Sequence, residues 1–405
     1  MLEIFIIFYC IKSFLEIYTL FMQIKYVKNA KNLQPIILLD SSKYKEAANY
    51  SIGKDKLEMY LSGYNFILFI LWILFGLSYL NSVIQIDSYY LKAIIFVNTF
   101  ILINLILTLP FKLFLTLNLD KKYSFLHITP TEFIKDTMDS VLLFLVLGSI
   151  IIGIFSFIIN SFTNWWILIF AFIFIFIILI KILVPMIKKG KKLKDKELKN
   201  KIKNLLDKVD FKCSGIFSVK ASKDDDQLNA YFEGLGVTKR IVLTDILIEK
   251  LTHNEILAVL GHELGHFKNN DMFKNIAIIG IVIFLVSAIF GNLPPELFLE
   301  LKLNNEPYAI ITVAIIFSPI FLFLTRPIIY AISRHIEYVA DEFGSNLSTK
   351  EDLVNVLLKL ANENKSFPLS NPMYILFYHT HPPLVKRFKK LGFDVYTMKF
   401  IDKNK

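Results

Sequence analysis

The chain has 405 residues, of which 55% are hydrophobic and 15% aromatic, with 38 Phe. Such a composition excludes an ordinary soluble domain and points to a multi-pass membrane protein. The formal net charge of +10 is carried by Lys gathered beside apolar segments, which reads as membrane topology and excludes nucleic acid as a partner. Two Cys without CxxC spacing exclude a disulfide framework and leave His and carboxylate as the available metal ligands.

In chain order, seven segments have the length and hydrophobicity to cross a bilayer: Leu2–Met22, Tyr64–Leu80, Leu91–Phe111, Val141–Ile159, Trp165–Ile187, Ile276–Phe290 and Tyr308–Ile332. The first has no basic leader and carries Glu3, Lys12 and Glu16, so it does not read as a cleavable signal peptide. Lys12 and Glu16 stand at i, i+4, where they can pair and face a wet cavity instead of lipid. Trp165 and Trp166 open the fifth span as an interfacial anchor. Lys residues crowd alternate connections: Lys25–Lys56, Lys121–Lys135 and Lys188–Lys201. The connections between them hold none, apart from Lys302 before the last span. The positive-inside rule then predicts that the Lys-rich connections and the C-terminus face the cytoplasm, with the N-terminus outside. The Lys188–Lys203 run reads equally well as a solvated linker helix.

Two polar stretches, Lys188–Lys274 and Ser333–Lys405, remain to build an α+β unit around the last two spans. In the first, Gly215–Lys220 and Arg240–Leu243 alternate as strands do. Asn229-Ala230-Tyr231-Phe232 follows the Asp224–Asp226 turn and precedes Gly234. It reads as an edge strand that takes a peptide by β-addition, or as an ordinary hairpin strand. The expected organisation is a membrane region over 1–187, a first half of a catalytic domain over 188–275, a transmembrane hairpin over 276–332 and a second half over 333–405.

His262-Glu263-Leu264-Gly265-His266 is the most informative pentapeptide. HExxH on a helix sets two imidazoles one turn apart on one face, where both can ligate Zn²⁺ while the Glu stays free as a general base. The alternative is a His pair on a solvated helix face, but Thr252-x-x-Glu255 makes a capping box just upstream. Ile256, Leu257, Val259 and Leu260 supply an apolar face, so the motif is expected on a helix. A catalytic zinc needs a third protein ligand. Arg334-His335-Ile336-Glu337-Tyr338-Val339-Ala340-Asp341 offers Glu337 and Asp341 on one face, one to bind metal and the other to hold a ligand His. His335 is a rival on another face, and a plain surface carboxylate pair is the bland alternative. His379-Thr380-His381-Pro382-Pro383, with Arg387 downstream, sets imidazole and guanidinium near a helix start, either for chemistry or for simple capping.

The combination of Asn229-Ala-Tyr-Phe, HELGH, Glu337-Tyr-x-Ala-Asp341 and His381-Pro-Pro-x-x-x-Arg387 with seven spans resembles the CAAX prenyl protease type I family, integral-membrane zinc metalloproteases. The likeness covers nearly the whole chain. It implies a mainly α polytopic fold of about seven transmembrane helices enclosing a chamber, with a zincin-like α+β metalloprotease domain. It also implies one Zn²⁺ per chain on His262, His266 and Glu337, and Glu263 as the catalytic base. Asp341 would hold a ligand His from behind. Asn229, His381 and Arg387 would bind the substrate backbone, with His381 or Arg387 also stabilising the oxyanion. The implied partner is a peptide or protein substrate, prenylated in this family, from which a C-terminal tripeptide is removed. Phe267 follows HELGH where the best-known members carry Trp. The Ile-, Lys-, Phe- and Asn-rich usage reads as microbial, which suggests a microbial cell membrane, or the endoplasmic reticulum for a eukaryote.

Two other readings compete. A quality-control membrane metalloprotease shares HExxH and a later Glu, but has fewer spans and no His-Pro-Pro segment. A non-enzymatic membrane scaffold or transporter with an accidental HExxH would bind no zinc.

Overall fold

A computed structural model describes residues 1–32, 41–123, 126, 128–187, 190–220, 229–234, 239–363 and 367–394. The Asp224–Asp226 turn, Lys188, Lys189 and the C-terminal residues 395–405 lie outside them.

Among the described residues, seven helices are long and apolar enough to cross a membrane: Leu2–Asn32, Ser42–Val83, Tyr89–Asp120, Pro130–Ser161, Trp165–Leu183, Asp271–Gly291 and Pro307–Leu347. Each contains the core of a segment expected from hydropathy, and several run well past it. The polar residues that extend them are good helix formers, and window hydropathy is blind to those. Local chemistry sets the ends. Thr129 and Glu132 form a reciprocal capping box ahead of the fourth helix, with Pro130 at its first position. The second helix widens into a π turn over Trp72–Gly76. There Gly76 leaves room for the Trp72 indole, whose Nε1 donates to Asn104 Oδ1 at 3.1 Å.

The described chain divides into two compact units. The first holds residues 1–21, 53–175 and 279–326. Its core includes Tyr9 stacked on Phe69 at 3.6 Å, with Phe5, Phe96, Tyr308 and Phe317. The Lys12–Glu16 pair forms as expected, at 2.6 Å, and Ser62 Oγ donates to Glu16 at 2.8 Å. Pairing both charges removes most of the cost of carrying them in an apolar helix. Many large side chains on the fourth helix, Leu142, Val146 and Ile150 among them, are exposed, as expected where lipid is the solvent.

The second unit holds residues 22–52, 176–278 and 327–405. Its sheet comprises β1 Lys191–Lys192, β2 Ile216–Val219, β3 Ala230–Glu233 and β4 Arg240–Thr244, in the order β1-β2-β4-β3. The β2–β4 pair is parallel and the other two pairs are antiparallel. β4 is central, and its Ile241, Val242 and Leu243 are buried. Among the described strands β3 lies on the edge, its antiparallel pairing with β4 fits both readings of Asn229–Phe232, and it packs against the helix His253–Lys268. That helix begins in the expected capping box: Thr252 N donates to Glu255 at 2.8 Å and Glu255 N donates to Thr252 Oγ1 at 3.3 Å. Ile256, Ala258, Leu260 and Leu264 fix its inner face in the core, with Leu198, Ile202, Leu353 and Phe388.

Candidate metal centre

His262 and His266 project from the His253–Lys268 helix with their rings nearly perpendicular, at 87°. Their Nε2 atoms converge to 3.2 Å. Glu337, on the helix Pro307–Leu347, completes a triangle with Oε2 3.5 Å from His262 Nε2 and Oε1 3.5 Å from His266 Nε2. Among the described residues this is the one group of three His, Cys, Asp or Glu side chains arranged to hold a metal ion. His335, the rival ligand, is exposed and stands outside that group.

Backbone contact brings the two helices this close. Glu337, Ala340, Asp341 and Gly344 share one face at i, i+3, i+4 and i+7. A Cβ on Gly265 would fall 2.9 Å from Ala340 Cα, and one on Gly344 would fall 2.6 Å from the His262 amide nitrogen. Glycine at both positions lets main chain meet main chain, and Glu337 then reaches the imidazoles one turn away.

The triangle fits a tetrahedral ion. Donors at about 2.0–2.1 Å from a tetrahedral centre lie roughly 3.3–3.4 Å apart, close to the edges found here. Glu337 Oε2 is buried and has no hydrogen bond of ordinary geometry, although His381 Nδ1 approaches to 3.0 Å and His262 Nε2 to 3.5 Å. A buried carboxylate whose two oxygens each face one imidazole nitrogen suits a cation. Two His and one Glu form the donor set of catalytic zinc, which keeps a fourth position open.

Behind the triangle, each imidazole meets a carboxylate at its other nitrogen. Asp341 Oδ1 lies 2.9 Å from His262 Nδ1. Asp271 Oδ2 lies 3.2 Å from His266 Nδ1, a contact that the sequence reading missed. Asp341 is in turn gripped at two points by Arg387, with Nε donating to Oδ2 at 2.7 Å and Nη2 to Oδ1. Burial works against the charge on Arg387, and the Asp341 carboxylate overrides it. Burial also disfavours a charged His262, yet the Asp341 and Glu337 carboxylates prevail and push it up to about 9.

Glu263 is half-buried beside the two imidazoles. Burial pushes its carboxyl up from the usual range, while His262 and His266 act in the opposite sense. His381 is largely exposed, at 66% of its side chain, with Nδ1 on Glu337. Its neighbour His379 faces elsewhere. The His379 carbonyl accepts from Arg334 at 2.8 Å, its ring meets Ser370 Oγ at 3.1 Å, and burial pushes it down to about 4. Asn229 sits exposed just ahead of β3, its backbone tied to Thr244 in both directions. Arg387 was expected against substrate, but its guanidinium is buried on Asp341. The helix Leu384–Leu391 presents Arg387 inward with Phe388 and Leu391.

The chain is similar to known proteins over most of its length. Residues 192–392 match the family model of peptidase family M48, and residues 23–188 match the model described as CAAX prenyl protease N-terminal, five membrane helices. CAAX prenyl protease 1 of Saccharomyces cerevisiae is 28% identical, over 91% of this chain and 90% of its own length. The CAAX prenyl protease 1 homolog of Arabidopsis thaliana is 30% identical, over 70% of this chain and 69% of its own. The crystal structure of S. mikatae Ste24p superposes with a TM-score of 0.86 at 25% identity, covering 96% of this chain and 99% of that one.

Proposed function

Because this chain belongs to the CAAX prenyl protease family within peptidase family M48, and is a multi-pass membrane metalloendopeptidase on that footing, we propose that it holds one Zn²⁺ on His262, His266 and Glu337 and removes the C-terminal tripeptide of prenylated proteins. The observation that carries this reading is the set of donors at 3.2, 3.5 and 3.5 Å, closed by the buried Glu337 carboxylate, whose two oxygens each face one imidazole nitrogen. When bound, zinc polarises the scissile carbonyl and lowers the pKa of water toward about 7.

The remaining chemistry belongs to side chains of this protein. Glu263 accepts the proton of the attacking water and delivers it to the leaving amine. Its burial, which raises the carboxyl, suits a group that must hold that proton between the two steps. His381 is exposed enough to reach substrate, and its second nitrogen would donate to the oxygen of the carbonyl as negative charge develops. The edge of β3 and Asn229 keep the peptide extended by β-addition. Arg387 acts through Asp341, holding the His262 ring in one tautomer and orientation. The Lys-rich connections argue for a site on the cytoplasmic side of the membrane.

The test is cleavage by detergent-purified protein of a prenylated CAAX peptide and its unlipidated twin, with and without a zinc chelator. Chelator-sensitive cleavage of the prenylated peptide is expected, with Glu263→Gln retaining metal and losing nearly all turnover. Equal cleavage of both twins would point to a broader membrane-protein protease, and chelator-insensitive cleavage would sink the zinc reading.

A further inference from the structure

We infer that Asp271 is a positioning residue for the metal centre, matching through His266 what Asp341 does through His262; the inference rests on the proposed ligand set. The two imidazoles meet the centre through Nε2, so each must carry its proton on Nδ1 and direct its lone pair inward. A carboxylate accepting from Nδ1–H selects that tautomer, fixes the ring and makes the ligand nitrogen more basic. For His266 the acceptor is Asp271 Oδ2, at 3.2 Å. Asp271 is only 3% exposed, and its other oxygen is held by Lys274 Nζ at 2.9 Å. A buried carboxylate set between a ligand imidazole and a cation parallels Asp341, which lies between His262 and Arg387, although Arg387 grips both Asp341 oxygens.

The local fold explains how Asp271 arrives there. On an unbroken helix a residue five positions beyond His266 would point about 140° away from it. The helix instead ends at Asn269, whose N–H donates to Gly265 O at 3.0 Å. Asn270 then turns through a positive φ of 56°, a conformation Asn tolerates better than most residues. The next helix starts at Asp271 and swings its carboxylate back under His266. A competing reading is that Asp271 serves only the first turn of that helix, where an acidic residue complements the helix dipole.

Metal affinity separates these readings. In competition titrations with a chromophoric chelator, Asp271→Ala should bind zinc about 10–100-fold more weakly than wild type. Asp271→Asn should fall between them, because its amide oxygen can still accept from Nδ1–H. Saturating zinc should restore much of the Asp271→Ala turnover, and the cobalt-loaded variant should show an altered visible spectrum. Lys274→Met should have a smaller effect, since that ammonium is half-exposed. Affinity within twofold of wild type in both Asp271 variants would overturn the inference. If Asp271→Ala fails to fold, the isosteric Asn variant decides. Wild type that binds no metal would defeat the ligand assignment itself, a separate result.

Discussion

Adding one methyl group at Gly344 tests the backbone contact that assembles the site. Its Cβ would lie 2.6 Å from the His262 amide nitrogen and 2.8 Å from His262 Cα, where ordinary contact begins near 3.4 Å. Both obstacles are main chain, so no side chain can swing away, and the helices must part by about 0.8 Å. Catalytic constellations tolerate about 0.5 Å of displacement, and a misplacement near 1 Å costs roughly 10²-fold. Gly344→Ala should therefore lose about two orders of magnitude in turnover and bind metal poorly, with overpacking strain of about 1–3 kcal/mol. Gly265→Ala needs about 0.5 Å and should lose roughly tenfold. Gly261→Ala, 3.2 Å from the Gly344 carbonyl, should be nearly silent. Gly63→Ala is the control: nothing lies within 4 Å of its Cβ, and helix propensity predicts up to about 1 kcal/mol of added stability. The assays are metal content by mass spectrometry and peptide turnover in detergent. Wild-type metal and turnover in Gly344→Ala, or a reversed order across the series, would refute the claim that this crossing sets the ligand geometry.

Three further outcomes are expected. His381→Ala should keep its metal and lose about 10²–10³ in turnover, the scale of one transition-state donor; an effect on KM alone would make it a ground-state contact. Arg387→Lys keeps the charge but not the two-point grip on Asp341, so metal affinity should fall while substrate KM stays unchanged; a raised KM with normal metal binding would return Arg387 to the substrate. With Cys10 and Cys213 replaced, a Cys at Asn304 should react with an impermeant reagent in intact cells and one at Lys194 should not; the reverse pattern would put the site on the outer face.

Much of this molecule is written in short-range patterns. The seven spans follow from hydropathy, and the helix of His262 and His266 follows from its capping box and apolar face. Glu337 and Asp341 were legible as a pair because i, i+4 on a helix is a fixed geometry, although only the resemblance told one from the other. What escaped the sequence depends on chain breaks and crossings. Asp271 stands five residues from His266, a spacing that a continuous helix would make useless, and it becomes a partner only because the backbone turns at Asn270. The resemblance set Arg387 on the substrate backbone. Periodicity alone gave no sign that the helix Leu384–Leu391 turns it inward with Phe388, onto Asp341. Gly265 sits inside the motif and looks like a tolerated spacer until its distance from Ala340 is known. In each case the missing term is the position of a second backbone. The two His ligands and the Glu337–Asp341 pair could therefore be read from spacing, whereas Asp271 and the grip of Arg387 on Asp341 became visible only once two helices and one turn had been placed against each other.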